Sequence, residues 1–238
     1  MNFIRTRGIV IKKRDLGEAD RIITIFSENF GKLDLLIKGI RKSKKRDQSS
    51  TDMLAYSDFT FYKKGDAYIL SNIDLMEGFY DLRKDIEKLE IASYIVSVIN
   101  EVLLPGERKK EFFQRFKKAL EFIIENESCK NYLMVLRMMD WIVKKEGYLI
   151  MLEGENYFNI SESSIINDKI LNAIPLKKEL YGVFKAIQNN DKIFLEGDNL
   201  KESIIEAIIL YEKYLNYHLD TKINLRKYLL EGTHVKYS

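Results

Sequence analysis

The fold is decided near the start of the chain by three short runs: Gly8-Ile-Val-Ile-Lys-Lys-Arg14, Arg21-Ile-Ile-Thr-Ile-Phe26 and Lys32-Leu-Asp-Leu-Leu-Ile-Lys38. Their β-branched and aromatic residues are typical of strands. Gly17 and Gly39 mark turns that follow the first and the third run. The three runs therefore predict consecutive β-strands joined by tight connections.

Two more strands follow a polar loop. The run Tyr56-Ser-Asp-Phe-Thr-Phe-Tyr62 alternates with period two, Lys63-Lys-Gly-Asp66 is a hairpin turn, and Ala67-Tyr-Ile-Leu-Ser71 returns. Five short strands within about 80 residues fit a barrel of the OB type better than a sandwich, which requires about seven. We therefore expect an OB-type barrel over residues 1–80.

After residue 80 the apolar residues recur with a spacing near 3.6, which predicts helices. One helix runs through 82–102 and ends before Pro105-Gly106, and others run through 112–123, 133–142, 180–187 and 202–219. Residues 148–171 are polar and less regular. The sequence thus predicts an α+β protein, with an N-terminal five-stranded OB-type barrel followed by an α-helical domain over residues 81–238.

The sequence lacks the residues that several classes of enzyme and metal-binding protein require. Cys129 is the single cysteine, and His218 and His234 are the only histidines. An intramolecular disulfide and cysteine-rich metal sites are therefore excluded, and the Gly-x-Ser-x-Gly, Walker A and His-Glu-x-x-His motifs are absent. We expect no catalytic residues, no metal site and no cofactor, hence a protein that is not an enzyme.

The sequence also lacks the features of membrane targeting. No run reaches the ~18 uncharged apolar residues of a membrane-spanning helix. Arg5 and Arg7 stand where a signal peptide requires an apolar run. We therefore expect a cytoplasmic protein without membrane contact.

Positive charge is concentrated in the first 50 residues, where seven lysines and six arginines face six carboxylates. Six of these cations lie in Lys38-Gly-Ile-Arg-Lys-Ser-Lys-Lys-Arg46, which leaves the third strand. Flexible cations of this kind neutralise phosphates without reading sequence. We therefore interpret this run as a DNA- or RNA-contacting arm, and the alternative is a solvated loop that favours solubility.

Cations on neighbouring strands extend the candidate site. Each of them alone has the alternative of a solvated surface residue. The full set of predicted DNA-binding residues is Lys12, Lys13, Arg14, Arg21, Lys38, Arg41, Lys42, Lys44, Lys45 and Arg46.

OB barrels hold single strands on aromatic side chains beside a basic groove. Phe59 and Phe61 share one strand face and are expected to fill the barrel core. Tyr62 and Tyr68 are better candidates for stacking against bases, and the alternative for both is a position at the edge of the core.

The N-terminal motifs carry a family resemblance. The segments Arg7-Gly-Ile-Val-Ile-Lys-Lys-Arg-Asp-Leu-Gly-Glu-Ala-Asp-Arg-Ile-Ile-Thr-Ile-Phe26 and Phe30-Gly-Lys-Leu-Asp-Leu-Leu-Ile-Lys-Gly-Ile-Arg-Lys42 resemble the signature of the RecO family of DNA repair proteins. The closing segment Tyr214-Leu-Asn-Tyr-His-Leu-Asp-Thr-Lys-Ile-Asn-Leu-Arg226 resembles that family's helical domain more loosely.

The resemblance implies a recombination mediator of the RecFOR pathway. Family members bind single- and double-stranded DNA, anneal complementary strands, engage RecR and the C-terminal tail of single-stranded DNA-binding protein (SSB), and help to load RecA onto SSB-coated DNA. Carried onto this sequence, the DNA contacts fall on Lys38, Arg41, Lys42 and their basic neighbours. Many relatives also carry a four-cysteine zinc module after the position of Gly147, and residues 148–171 contain no cysteine.

Three functions remain open at this point. The first is a nucleoid-associated recombination mediator that anneals DNA. The second is an adaptor whose basic N-terminus docks an acidic protein partner. The third is an OB-fold binder of single-stranded nucleic acid that acts outside repair.

Overall fold

A computed structural model of the chain describes residues 2–43, 48–191 and 200–228. Its N-terminal part is a closed barrel with the strand order β1-β2-β3-β5-β4. The strands are β1 (Phe3–Leu16), β2 (Asp20–Ser27), β3 (Gly31–Ile37), β4 (Tyr56–Lys64) and β5 (Ala67–Glu77). Strands β3 and β5 pair in parallel and close the barrel, and all other pairs are antiparallel. The predicted five-stranded OB-type barrel is confirmed.

The barrel core comes from alternate residues of each strand. Ile23, Ile25, Leu35 and Ile37 of β2 and β3 point inward, together with residues of the other three strands. Each such fully buried side chain stabilises the fold by roughly 1.5–3 kcal/mol. Phe59 and Phe61 are fully buried there, as their alternation predicts.

A helical segment completes this part of the chain. Helix α1 (Ile86–Val102) begins after Asp85, whose carboxylate accepts hydrogen bonds from the amides of Glu87 and Lys88. The predicted helix from residue 82 therefore starts later than expected, and residues Tyr80–Lys84 form a 3-10 turn before it. Helix α2 (Lys110–Glu125) follows the loop that contains Pro105.

The chain divides into two compact units. The first contains Met1–Leu89 and Ile99–Glu125, and the second contains Glu90–Val98 and Asn126–Ser238. Helix α2 belongs to the unit of the barrel because Phe26 of β2 packs against three of its aromatic rings at 5.5–6.3 Å, namely Phe112, Phe113 and Phe116. The boundaries of these two compact units do not coincide with the boundary after residue 80 that the sequence suggested.

The second unit contains the helices α3 (Ser128–Lys145), α4 (Lys178–Gln188) and α5 (Leu200–Leu219). Its aromatic core includes Phe184, which stacks on Tyr211 at 5.2 Å and lies 5.7 Å from the ring of Phe158. A short 3-10 turn, Leu225–Lys227, follows α5.

A small sheet occupies the stretch that the sequence left irregular. Its strands are β6 (Met151–Leu152), β7 (Tyr157–Asn159), β8 (Ser164–Ile166) and β9 (Ile174–Pro175), in the order β6-β8-β7-β9. The strands are too short to show a period in the sequence. Backbone hydrogen bonds and the buried side chains of Phe158 and Ile165 hold this sheet, and residues 148–171 contain no cysteine.

Two features are absent from the described ranges 2–43, 48–191 and 200–228. None of the helices there combines the length and apolar character that crossing a membrane requires. The same ranges contain no group of three or more His, Cys, Asp or Glu side chains arranged to hold a metal ion.

Candidate nucleic-acid interface

A β-bulge in β1 decides which basic residues face the same way. The register of β1 against β2 shifts between Val10 and Lys12. Val10 lies opposite Ile25 in the core, whereas Lys12 lies opposite Thr24 and Arg14 opposite Ile22. Because directly opposed residues point to the same side of a sheet, Lys12 and Arg14 face outward.

The outward side of β3 continues this surface. Thr24 pairs with Asp34, and Ile22 pairs with Leu36. Lys32 precedes Asp34 by two residues and shares its side, and Lys38 follows the strand and is exposed. We call this surface the basic face, and it comprises Lys12, Arg14, Ile22, Thr24, Lys32, Asp34, Leu36 and Lys38.

A groove of about 870 Å³ lies along the basic face. Three cationic side chains line it, those of Lys12, Lys32 and Arg108, and it also contains the carboxylates of Asp34 and Asp66. The rest of its wall is mostly apolar and includes Ile4, Ile22, Leu33 and Leu36. A groove with cations beside apolar and aromatic surface suits a phosphate chain that carries flat bases.

Three aromatic rings meet in the groove. Phe61 lies edge-on to Tyr68 at 5.4 Å and to Phe30 at 6.2 Å. The guanidinium of Arg108 lies 5.6 Å from the centroid of the Phe30 ring. Tyr68 lines the groove, and its stacking against bases stays a prediction. Tyr62 packs against Phe3 at 5.8 Å and is not among the residues that line the groove.

Arg108 reaches the groove because the loop between α1 and α2 is fastened to β3. The amide of Gly106 donates to the carbonyl of Lys32 at 2.9 Å. Gly31 has a φ of +67°, and a Cβ atom at this position would lie 2.0 Å from the carbonyl oxygen of Glu107. Only glycine permits both this backbone conformation and this approach.

The Lys32 ammonium is anchored inside the groove. Its Nζ donates to the carbonyl of Asn100 at 2.6 Å, and the side chain is half-buried. Desolvation lowers the pKa of Lys32, because the charged form has lost part of its water, although Glu101 and Asp34 oppose the shift. A phosphate bound here would supply the compensating negative charge.

The start of the predicted arm is docked on the turn between β1 and β2. Nη1 of Arg41 donates to the carbonyl of Gly17 at 2.6 Å, and its Nε lies 3.3 Å from a carboxylate oxygen of Asp15. Nζ of Lys42 lies 3.1 Å from Glu18. Lys44, Lys45 and Arg46 fall outside the described residues.

Lys13 and Arg21 lie on the other side of their strands. Lys13 pairs with Asp52 at 2.8 Å. Arg21 is buried and donates to Asp15 and to the hydroxyl of Thr51, each at 2.9 Å. The bond from Arg21 lowers the pKa of Asp15. The structure therefore brings Lys12, Arg14 and Lys38 together and separates them from Lys13 and Arg21.

Sequence reasoning did not single out Lys32, Asp34, Phe30 or Arg108. The alternation of Lys32 and Asp34 with Leu33 and Leu35 was a visible signal that the two polar side chains share the outer face of β3. No comparable signal exists for Arg108, because its place depends on a contact distant in the sequence.

Comparison with known proteins supports this reading of the barrel. Residues 1–79 match the family model described as "Recombination protein O N terminal". The chain is 38% identical to a DNA repair protein RecO of Acetivibrio thermocellus over 140 residues, which are 59% of this chain and 55% of that protein.

Two other relatives are similar along nearly their whole length. A DNA repair protein RecO of a Thermoanaerobacter species is 25% identical over 96% of this chain and 98% of its own. A DNA repair protein RecO of Caldanaerobacter subterraneus is 24% identical over 97% of this chain and 99% of its own. Together, these matches show that the chain is similar to RecO proteins, through the family model over the barrel and through relatives that align along nearly the whole chain.

Proposed function

We propose that this chain is a recombination protein of DNA repair that binds single-stranded DNA along the basic face and acts without catalysis. The observation that carries the proposal is the bulge in β1, which turns Lys12 and Arg14 outward and so brings Lys12 into the groove that Lys32 and Arg108 also line. Phosphates lie against these cations, and bases stack against Tyr68 and Phe30.

The arm extends the same contact. Arg41 and Lys42 follow Lys38 in the segment after β3. At about 3.3 Å per residue, Lys38 lies roughly 20 Å from Lys32 along the strand direction. Cations at both ends of the face therefore give DNA a track several nucleotides long. Such a track binds without regard to sequence and weakens steeply with salt.

The annealing and RecA-loading activities are proposed from the similarity to RecO proteins. We propose that the protein anneals complementary strands by raising their effective concentration on its surface, and that it helps to load RecA onto SSB-coated DNA. Its proposed partners are single- and double-stranded DNA, RecR and the SSB tail, with RecA as an indirect one. The proposed location is the cytoplasm, in association with the nucleoid.

A second candidate is the adaptor that docks an acidic protein segment. The groove favours this candidate in one respect, because the partly exposed side chains of Leu33 and Leu36 offer apolar surface in the same groove as Lys12 and Lys32. An acidic peptide with an apolar end would suit such a surface. The third candidate, a single-strand binder outside repair, would use the same contacts as the proposed function.

The test measures binding of a fluorescent single strand across a salt series, together with annealing of complementary strands. The variant Lys12→Ala/Arg14→Ala/Lys38→Ala removes three cations of the basic face. The control Lys169→Ala/Lys178→Ala/Lys185→Ala removes three exposed cations of the other unit.

We expect the first variant to lose affinity and to lower the slope of log K against log salt by roughly two, since each of the three lost phosphate contacts contributes about 0.7 for single strands. The control should keep the wild-type slope and the annealing rate. Wild-type protein that binds an acidic peptide but no DNA would overturn the proposal in favour of the adaptor.

A further inference from the structure

A carboxylate lies in the middle of the basic face. Asp34 is exposed, lines the groove and stands in one cross-strand row with Thr24 and Lys12. The hydroxyl of Thr24 donates to its Oδ1 at 2.6 Å. This bond holds one carboxylate oxygen, and the other keeps its capacity to accept further hydrogen bonds.

A negative group at this place limits how DNA can lie. Phosphates repel a carboxylate, so the phosphate chain must follow the cations and avoid Asp34. The bases then turn toward the row of Thr24 and Asp34. Their edges meet a fixed hydrogen-bond acceptor there, beside the aromatic rings of Phe30 and Tyr68.

We infer that Asp34 selects bases that carry an exocyclic amino group and favours cytosine over thymine. Cytosine presents its N4 amino group as a donor, whereas thymine presents the acceptor O4 at the same position. A carboxylate binds the first and repels the second. The inference rests on the proposed function, since it assigns a base preference to the same single-strand groove.

The decisive measurement compares two single strands of equal length, oligo(dC) and oligo(dT), at pH 8. Both are pyrimidine strands with the same number of phosphates, so the charge contribution to binding is matched. We expect wild-type protein to bind oligo(dC) about fivefold more tightly, which corresponds to one modest base contact.

The variant Asp34→Asn tests the assignment. An amide both accepts and donates, so it can bond to either pyrimidine, and the ratio of the two affinities should fall to about one. Loss of a like charge should also raise the affinity for both strands. Thr24→Val removes the hydroxyl that orients Asp34 and should reduce the preference partly.

Asp74→Asn is the matched control, because it removes an exposed carboxylate of β5 that is not part of the basic face. It should leave the preference for oligo(dC) unchanged. Equal affinities in the wild type, or a preference that survives Asp34→Asn, would overturn the inference while salt-dependent binding still supports the groove. Absence of salt-dependent binding to both strands would overturn the proposed function and the inference with it.

Discussion

Nη1 of Arg21 donates a hydrogen bond of 2.9 Å to the hydroxyl of Thr51, and its Nε bonds to Asp15. Thr51 in turn donates to the carbonyl of Gln48. The arginine thus joins the β1–β2 hairpin to the 3-10 turn Ser49–Thr51. The guanidinium of Arg21 therefore stabilises the fold through these hydrogen bonds.

Arg21→Ala should therefore lower the free energy of unfolding by about 1–3 kcal/mol, because it removes a buried side chain and two hydrogen bonds. Chemical denaturation measures the loss. The control Lys13→Ala breaks only an exposed ion pair with Asp52 and should change stability by less than about 1 kcal/mol. An Arg21→Ala protein of normal stability that binds DNA poorly would instead place Arg21 in the interface.

Arg108 tests the part of the groove that lies outside the matched N-terminal range. Arg108→Ala should weaken single-strand binding and reduce the salt slope by about 0.7, since it removes one cation from the groove wall. Arg115→Ala on α2, where Arg115 pairs with Glu111, provides the comparison. Equal salt slopes for the two variants would remove Arg108 from the proposed contact.

Glu18 partly neutralises the start of the arm. Glu18→Gln releases Lys42 from an exposed ion pair of little energetic value and removes one negative charge near the DNA. We expect affinity for single strands at low salt to rise about two- to threefold and the gain to shrink as salt screens the charge. A loss of affinity would show that Glu18 holds Lys42 in its binding position.

Substitutions at Gly31 and Gly39 separate the cost of a left-handed backbone conformation from the cost of a steric collision. Both have a φ of +67°, but only at Gly31 would a Cβ atom collide with a neighbouring backbone. Gly39→Ala should cost about 1–2 kcal/mol for the left-handed conformation alone. Gly31→Ala should lower the free energy of unfolding further than Gly39→Ala does. It should also weaken DNA binding, because the loop that carries Arg108 must move. Equal unfolding midpoints for the two variants would contradict the close contact.

The buried hydroxyl of Tyr211 should make the stability of the second unit depend on pH in the alkaline range. Burial, and then the carboxylate of Asp140, raise the pKa of Tyr211 well above its ordinary range. The native state therefore keeps a proton that the unfolded state releases above about pH 10, so stability is lost as the pH rises through that range.

Tyr211→Phe should cost about 1–2 kcal/mol at pH 7, because Asp140 loses a donor at 2.9 Å. The variant should also show a shallower decline of stability between about pH 10 and pH 11. Unfolding midpoints measured across this range test it, with Tyr181→Phe on α4 as the control. An unchanged alkaline slope would mean that Tyr211 ionises in the native state.

Local patterns were sufficient for the barrel strands and most of the helices. Alternation in the run 56–62 and the spacing of apolar residues in 112–123 depend only on neighbours in the chain, so both could be read directly. The start of α1 and the sheet within 151–175 could not. A 3-10 turn looks like a first helical turn, and strands of two or three residues have no period.

The sequence by itself determined the barrel, the helical character of the rest and the excess of cations near the N-terminus. Only the tertiary structure decided which cations act together. One extra residue in β1 reverses the alternation of that strand, so Lys12 and Arg14 face outward while Lys13 does not. Arg108 joins Lys32 through contacts between distant segments, and such contacts depend on strand register and packing over the whole barrel rather than on any local pattern.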